Sequence, residues 1–150
     1  MAVSESPSTE AMKAIVDRIN SAVTYEFDVV AEYSEQIIDP MEEVAELRVD
    51  VVSESEQQLN ETLDIEDRTN HIVMIWIRKK VAALSNDEID PLKLLVRQIF
   101  QRVNDYDTAN GRVKVWEAET DSKQCPDKSL LRQLRMFVAS ITLRIEVEAS

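Results

Sequence analysis

Six apolar residues follow one another from Ile72 to Ile77, and nowhere else does the chain run so long without a polar break. As a strand, at about 3.3 Å per residue, this stretch spans roughly 20 Å. Val73, Ile75 and Ile77 then point to one face, and Ile72, Met74 and Trp76 to the other. A strand that is apolar on both faces belongs in mid-sheet, covered above and below. The rival is a short buried helix, because periodicity does not decide a run of this length. The β-branched residues and Trp76 favour the strand.

The remaining pattern reads as elements that pair with this strand or cover it. Met1 to Ser6 is polar and is expected as a flexible arm, followed by Ser6 as N-cap and Pro7 at the first position of a helix. Met12, Ile15, Val16, Ile19 and Val23 recur at three- and four-residue spacing and mark one apolar stripe, predicting a helix over about 7–21. Tyr25, Phe27, Val29, Ala31 and Tyr33 alternate with mostly acidic residues, which predicts a strand with one wet face. Leu47, Val49 and Val51 alternate with Glu46, Arg48 and Asp50 in a second strand, whose register a one-residue slip would invert.

After the central strand, two helix starts compete. Asp90 as N-cap with Pro91 at the first helical position is preferred. A capping box of Ser85 with Glu88 would place Pro91 inside the helix, at a cost of about 3 kcal/mol. Leu92, Leu95, Val96, Ile99, Val103 and Tyr106 then line one face. Asn110-Gly111 holds the only glycine and predicts a turn. Val113, Val115 and Trp116 suggest a short strand, and Asp127 caps a single helical turn through Ser129-Leu130-Leu131. Phe137, Ala139, Ile141, Leu143, Ile145 and Val147 alternate with less apolar neighbours, predicting a long antiparallel strand beside the central one. The sum is one α+β domain over residues 1–150. Two helices pack on a mostly antiparallel sheet of about five strands, in the order α-β-β-β-α-β-β.

Between Ser53 and Asn70 the pattern breaks down. Six acidic residues (Glu54, Glu56, Glu61, Asp64, Glu66 and Asp67) stand there against one basic residue, Arg68. So long a connection reads either as a solvated acidic loop or as a projecting hairpin. The densest basic cluster, Arg78-Lys79-Lys80, closes the central strand. Alternation sends Lys79 to the face opposite Arg78 and Lys80. The cluster reads as a solvated strand end or as a contact for an acidic surface of a neighbouring subunit, such as the 53–70 segment.

Composition narrows the function classes. With 29 acidic and 17 basic residues the net charge is −12, which argues against a general basic surface for phosphates. Such a charge confers solubility, repels DNA from a channel wall or imitates DNA toward a basic partner, and charge alone does not rank these. No apolar run approaches the ~18–20 residues of a membrane span, and the acidic start is unlike a signal peptide. His71 is the only histidine and stands where a loop becomes the central strand; Cys125 is the only cysteine and has only Lys123 and Lys128 near it in sequence. Neither is a convincing nucleophile or base. Asp64-Ile65-Glu66-Asp67 lacks the central glycine of a calcium loop, and phosphate-cradling glycine loops are missing. No catalytic residue, cofactor or metal ligand is expected, and the chain is read as a non-enzyme.

Four stretches carry a likeness to a known group. They are Ile15–Val23 followed by Phe27-Asp28-Val29-Val30; Leu47-Arg48-Val49-Asp50-Val51-Val52; Ile75-Trp76-Ile77-Arg78-Lys79-Lys80; and Glu88-Ile89-Asp90-Pro91-Leu92 leading into the second helix. In their order the chain, from about Ala11 to Val147, resembles the tail terminator or neck (head–tail joining) proteins of tailed bacteriophages. The acidic 53–70 connection and the polar start have no counterpart in that pattern. The resemblance implies a structural virion protein, assembled in the host cytoplasm, that forms a ring of commonly six subunits. It implies the tail-tube protein and the head connector or adaptor as partners, genomic DNA passing through without specific binding, and no membrane. The other class that fits is an acidic binding module or DNA-mimic inhibitor of a basic partner.

Overall fold

The computed structural model describes residues 6–21, 25–34, 42, 44–58, 68–120 and 126–148, with the main chain alone for 55–58 and 68. Its elements run α1 (Pro7–Asn20), β1 (Ala31–Ser34), β2 (Arg48–Gln58), β3 (Arg68–Lys80), α2 (Asn86–Val103), β4 (Val113–Thr120), α3 (Lys128–Leu134) and β5 (Met136–Glu148). The class is mixed α+β, and the described residues form three helices and one five-stranded sheet in the order β1-β2-β3-β5-β4. The expected two helices are corrected to three, because the turn that Asp127 caps extends into the seven-residue α3. Asp127 Oδ1 accepts from the Ser129 and Leu130 amides at 3.0 and 3.1 Å, satisfying two of the donors a helix start leaves open.

The run Ile72–Ile77 is strand, and β3 is the middle strand of the sheet. β5 pairs antiparallel with β3 along its whole length, from Arg68↔Glu148 to Lys80↔Met136. The alternation divides the residues as expected. Val73, Ile75 and Ile77 join Val49, Val51, Ile141, Leu143 and Ile145 beneath α1 and α2. Both helices reach this face through the stripes read from sequence, with Met12, Ile15 and Ile19 on α1 and Leu92, Leu95, Ile99 and Val103 on α2. Ile75 and Ile77 are wholly buried, so truncating either to Ala is expected to cost about 2–5 kcal/mol. The opposite face carries a smaller cluster of Val44, Val52, Trp76, Met136 and Val138, packed by Met74 and Leu130.

Two boundaries differ from the sequence reading. The strand expected over Tyr25–Tyr33 is only Ala31–Ser34, and it pairs parallel to β2, from Ala31↔Val49 to Ser34↔Val52. Asn20 explains where it starts. Its amide nitrogen donates to the Ala31 carbonyl at 3.0 Å and its oxygen accepts from the Ala31 amide at 2.7 Å. One side chain thus occupies the outer edge that another strand would need. The second correction concerns α2, which starts at Asn86 after the N-cap Ser85 and encloses Pro91. The extra turn buries Ile89 in line with Leu92 and Val96, which offsets the hydrogen bond that proline removes. No capping box forms: Ser85 makes no side-chain cap, and Glu88 accepts instead from the Ala82 amide at 2.8 Å.

Candidate functional site

The described residues singled out in sequence lie along one hairpin. β2 and β3 pair antiparallel from Arg48↔Arg78 to Gln58↔Thr69, with a bulge between Ser53 and Ser55. Of the 53–70 segment, 53–58 continue β2 and 68–70 begin β3. Glu54 lies at the bulge and is exposed, and Glu56 stands opposite His71 in register. Glu61, Asp64, Glu66 and Asp67 fall in 59–67, outside the described residues, as do residues 1–5 of the expected arm. Arg78, Lys79 and Lys80 end β3, whose 13 residues span about 40 Å as a strand. Glu54, beside Ile72 and Val73 on the ladder, lies about 20 Å from Arg78, too far for a direct contact.

Arg78 is corrected from a solvated strand end to a buried residue, 1% exposed. Its Nη2 lies 2.9 Å from Asp50 Oδ2, and Asp50 is 2% exposed. Asp50 stands opposite Trp76 and Arg78 opposite Arg48, so the pair spans the β2–β3 ladder on the diagonal, within reach of long side chains. Arg48 Nη2 approaches Asp50 Oδ1 at 3.3 Å, and Arg78 Nη1 lies 3.6 Å from Glu42 Oε2. Trp76 Nε1, beside the pair on this face, meets no acceptor among the described residues. Charges taken from water are retained when they are paired and hydrogen-bonded. This pair ties β2 to β3 under the thinner layer of the fold. Lys79 is half-buried, with Nζ 3.3 Å from the Lys80 carbonyl oxygen, and Lys80 is exposed. Of the three basic residues only these two reach solvent.

A second cationic surface was missed in sequence. Lys128, Arg132 and Arg135 recur at i, i+4 and i+7 along α3 and its C-cap, and all three are exposed. None makes a side-chain hydrogen bond or ion pair with any described residue. The spacing is readable in the sequence, but the pattern there predicts only a single turn. The Val81 amide donates to the Arg135 carbonyl at 2.8 Å, which joins this surface to the end of β3.

His71 is buried inside β3 rather than at its edge, with Nε2 2.7 Å from Thr69 Oγ1. Cys125 lies outside the described residues. Two depressions flank the Asn110–Gly111 turn. One of about 240 Å³ is lined by Asp107, Arg112, Lys114, Glu146 and Glu148, and one of about 290 Å³ by Lys13, Asp17, Tyr106 and Thr108 among others. Arg112 is held by Glu10 through two 3.0 Å contacts. Neither depression holds a histidine or cysteine, and no group of three metal-ligating side chains occurs among the described residues. No described helix is long and apolar enough to cross a membrane.

The two edges of the sheet are guarded. On β4 the outer edge is bonded at Val113 and Val115 by Thr108 and Tyr106. Beyond the bulge at Trp116 it is flanked by exposed Glu117 and Glu119. Charges and bulges at an edge oppose uncontrolled strand pairing. No protein-family model and no curated protein sequence matches this chain.

Proposed function

We propose that this chain is a structural protein of a tailed-bacteriophage virion, a tail terminator that caps the tail tube as a ring and joins it to the head connector. The observation that carries this reading is a subunit with two unlike ends. Exposed cations gather at the β3–α3 end, and the acidic β2–β3 connection lies at the other. Unlike ends suit the heterologous head-to-tail contacts from which rings close. The edge-guarding by Asn20, Glu117 and Glu119 suits a subunit that assembles through selected surfaces rather than open strands. In this role the ring numbers commonly six copies, stands in the neck of the virion and is put together in the host cytoplasm. Its acidic lumen lets DNA pass without binding. The protein performs no catalysis and needs no cofactor.

The alternative, an acidic module that imitates DNA toward a basic partner, calls for carboxylates gathered on one face. The exposed acids described are spread instead over α1, β1, β2, α2, β4 and β5. Electron microscopy separates the two readings. Rings of purified protein, and gold label at the head–tail junction of virions, support the terminator. A protein absent from virions would end that reading.

A further inference from the structure

We propose that the exposed ridge of α3, with Lys128, Arg132 and Arg135 in a row, is the docking surface for the acidic hairpin end of a second copy of this chain. The proposal rests on the ring reading above and names its interface. Three observations lead to it. First, the three cations meet no carboxylate among the described residues, in a molecule that carries an excess of twelve negative charges. Second, the described acids of the hairpin lie away from the ridge. Glu148 stands opposite Arg68 at the far end of β3, about 40 Å along the strand from Lys80, and Glu54 lies at the bulge beside Ile72 and Val73, about 25 Å from Lys80. Glu61, Asp64, Glu66 and Asp67 follow in sequence between Gln58 and Arg68. Third, the cations are accompanied by apolar surface. Leu134 is 41% exposed and Leu84 44% exposed, and they belong to the two segments that the Val81–Arg135 hydrogen bond holds together. Opposite charges around an apolar contact give both steering and a desolvated centre.

A second copy is favoured over a nucleic acid because the chain itself carries, in Glu54, Glu148 and its acidic 59–67 connection, the carboxylates that such a ridge attracts. A second copy brings unlike ends together, and each contact leaves a free basic end and a free acidic end for the next, as a closed ring requires.

The test is sedimentation of the full chain, wild type and charge-swapped, as salt rises from about 20 mM to 0.5 M. Wild type is expected to associate at low salt and to dissociate as salt rises, a result that needs no variant. Arg132→Glu with Arg135→Glu should weaken association at least tenfold, and so should Glu54→Lys with Glu148→Lys. An equimolar mixture of the two variants should recover it, since the swapped ends again carry opposite charge. Circular dichroism of each variant checks the fold. If wild type associates but the α3 swap changes nothing, or the mixture stays apart, the interface is wrong while the ring reading survives. A wild type that remains single at low salt up to about 1 mM sinks both, because weak millimolar contacts amount to only about 4 kcal/mol. Retention of duplex DNA by wild type, lost in the α3 variant without any change in association, would reassign the ridge to phosphate.

Discussion

Arg18 and Arg102 cap each other's helices. Arg18 Nε donates to the Arg102 carbonyl at 2.8 Å, and Arg102 Nε donates to the Arg18 carbonyl at 3.1 Å. Each arginine stands in the last turn of its helix, where carbonyls lack intrahelical partners and a positive charge complements the helix dipole. Arg102 Nη2 reaches the carbonyl and the hydroxyl of Ser21 as well, at 2.9 and 2.7 Å, and the Arg18 guanidinium lies over Tyr106 at 4.6 Å. Two like charges are thus held side by side by the negative ends of two helices. Arg102→Ala removes three hydrogen bonds at once and should destabilise by about 1–3 kcal/mol, since the site is only part-buried. Urea unfolding followed by circular dichroism measures it. A loss below about 0.3 kcal/mol, the size of a neutral surface change, would show that the reciprocal caps contribute little.

Tyr25 belongs to the same cluster and gives it a pH dependence. Its hydroxyl donates to the Ile19 carbonyl at 2.9 Å. Burial raises its pKa above the usual value near 10, and Arg102 and Arg18 partly oppose that rise. The folded protein therefore holds the phenolic proton more tightly than the unfolded chain. The stability this contributes is complete below pH ~10 and fades as pH rises through the higher folded-state value. Urea midpoints from pH 8 to 11 should fall less steeply for Tyr25→Phe than for wild type. Parallel curves would remove Tyr25 as the source.

How far the sequence foretold these arrangements depended on the range of the interactions. The central strand, its antiparallel neighbour β5 and the Ser6–Pro7 start of α1 were legible because each is written in local periodicity or capping. Ser6 Oγ indeed accepts from the Thr9 amide at 3.2 Å. The short parallel β1 was not, because Asn20 sets its start from eleven residues away. The start of α2 is not legible locally, because the burial of Ile89 that outweighs the proline is a tertiary effect. The burial of Arg78 is not legible either, because nothing near it in sequence announces Asp50, 28 residues earlier. The cations of α3 had the spacing of a helix face, but seven residues are too few for periodicity to speak.

The Arg78–Asp50 pair supplies a sharper energetic test. Removing one partner leaves the other charge buried, so Asp50→Ala or Arg78→Met alone should cost about 3–5 kcal/mol. Replacing both, as Asp50→Leu with Arg78→Met, should recover most of that loss. The non-additivity in a double-mutant cycle is the measurement. If the two single losses simply add, the charges do not depend on each other as their 2.9 Å contact implies.

The need for glycine at position 111 comes from its backbone conformation. Its φ is +72°, and a Cβ placed there meets nothing within 4 Å. Gly111→Ala should therefore destabilise by about 1–2 kcal/mol through left-handed strain, not through a clash. Gly111→Asn should cost less, since Asn tolerates that region. Equal melting temperatures for the two variants would contradict this account.

The two tryptophans report separately on the thinner face. Trp76 is 7% exposed under Val44, Met136 and Val138, whereas Trp116 is 45% exposed at the β4 bulge with Arg144 over its ring at 6.0 Å. Trp116→Phe should leave a single emission that is blue-shifted and shielded from iodide, while Trp76→Phe should leave a red-shifted emission that iodide quenches readily. The shielding of Trp76 depends on the cover that Val44 gives it, and that cover is anchored by the bond from the Lys80 amide to the Val44 carbonyl at 2.8 Å. Val44→Asp should therefore open Trp76 to iodide in the Trp116→Phe background, because a carboxylate does not settle in an apolar cluster, while the α1–α2 side of the core keeps its helical signal. Quenching of Trp76 that is already complete before this substitution would mean that residues 44–47 and α3 do not seal this face in solution.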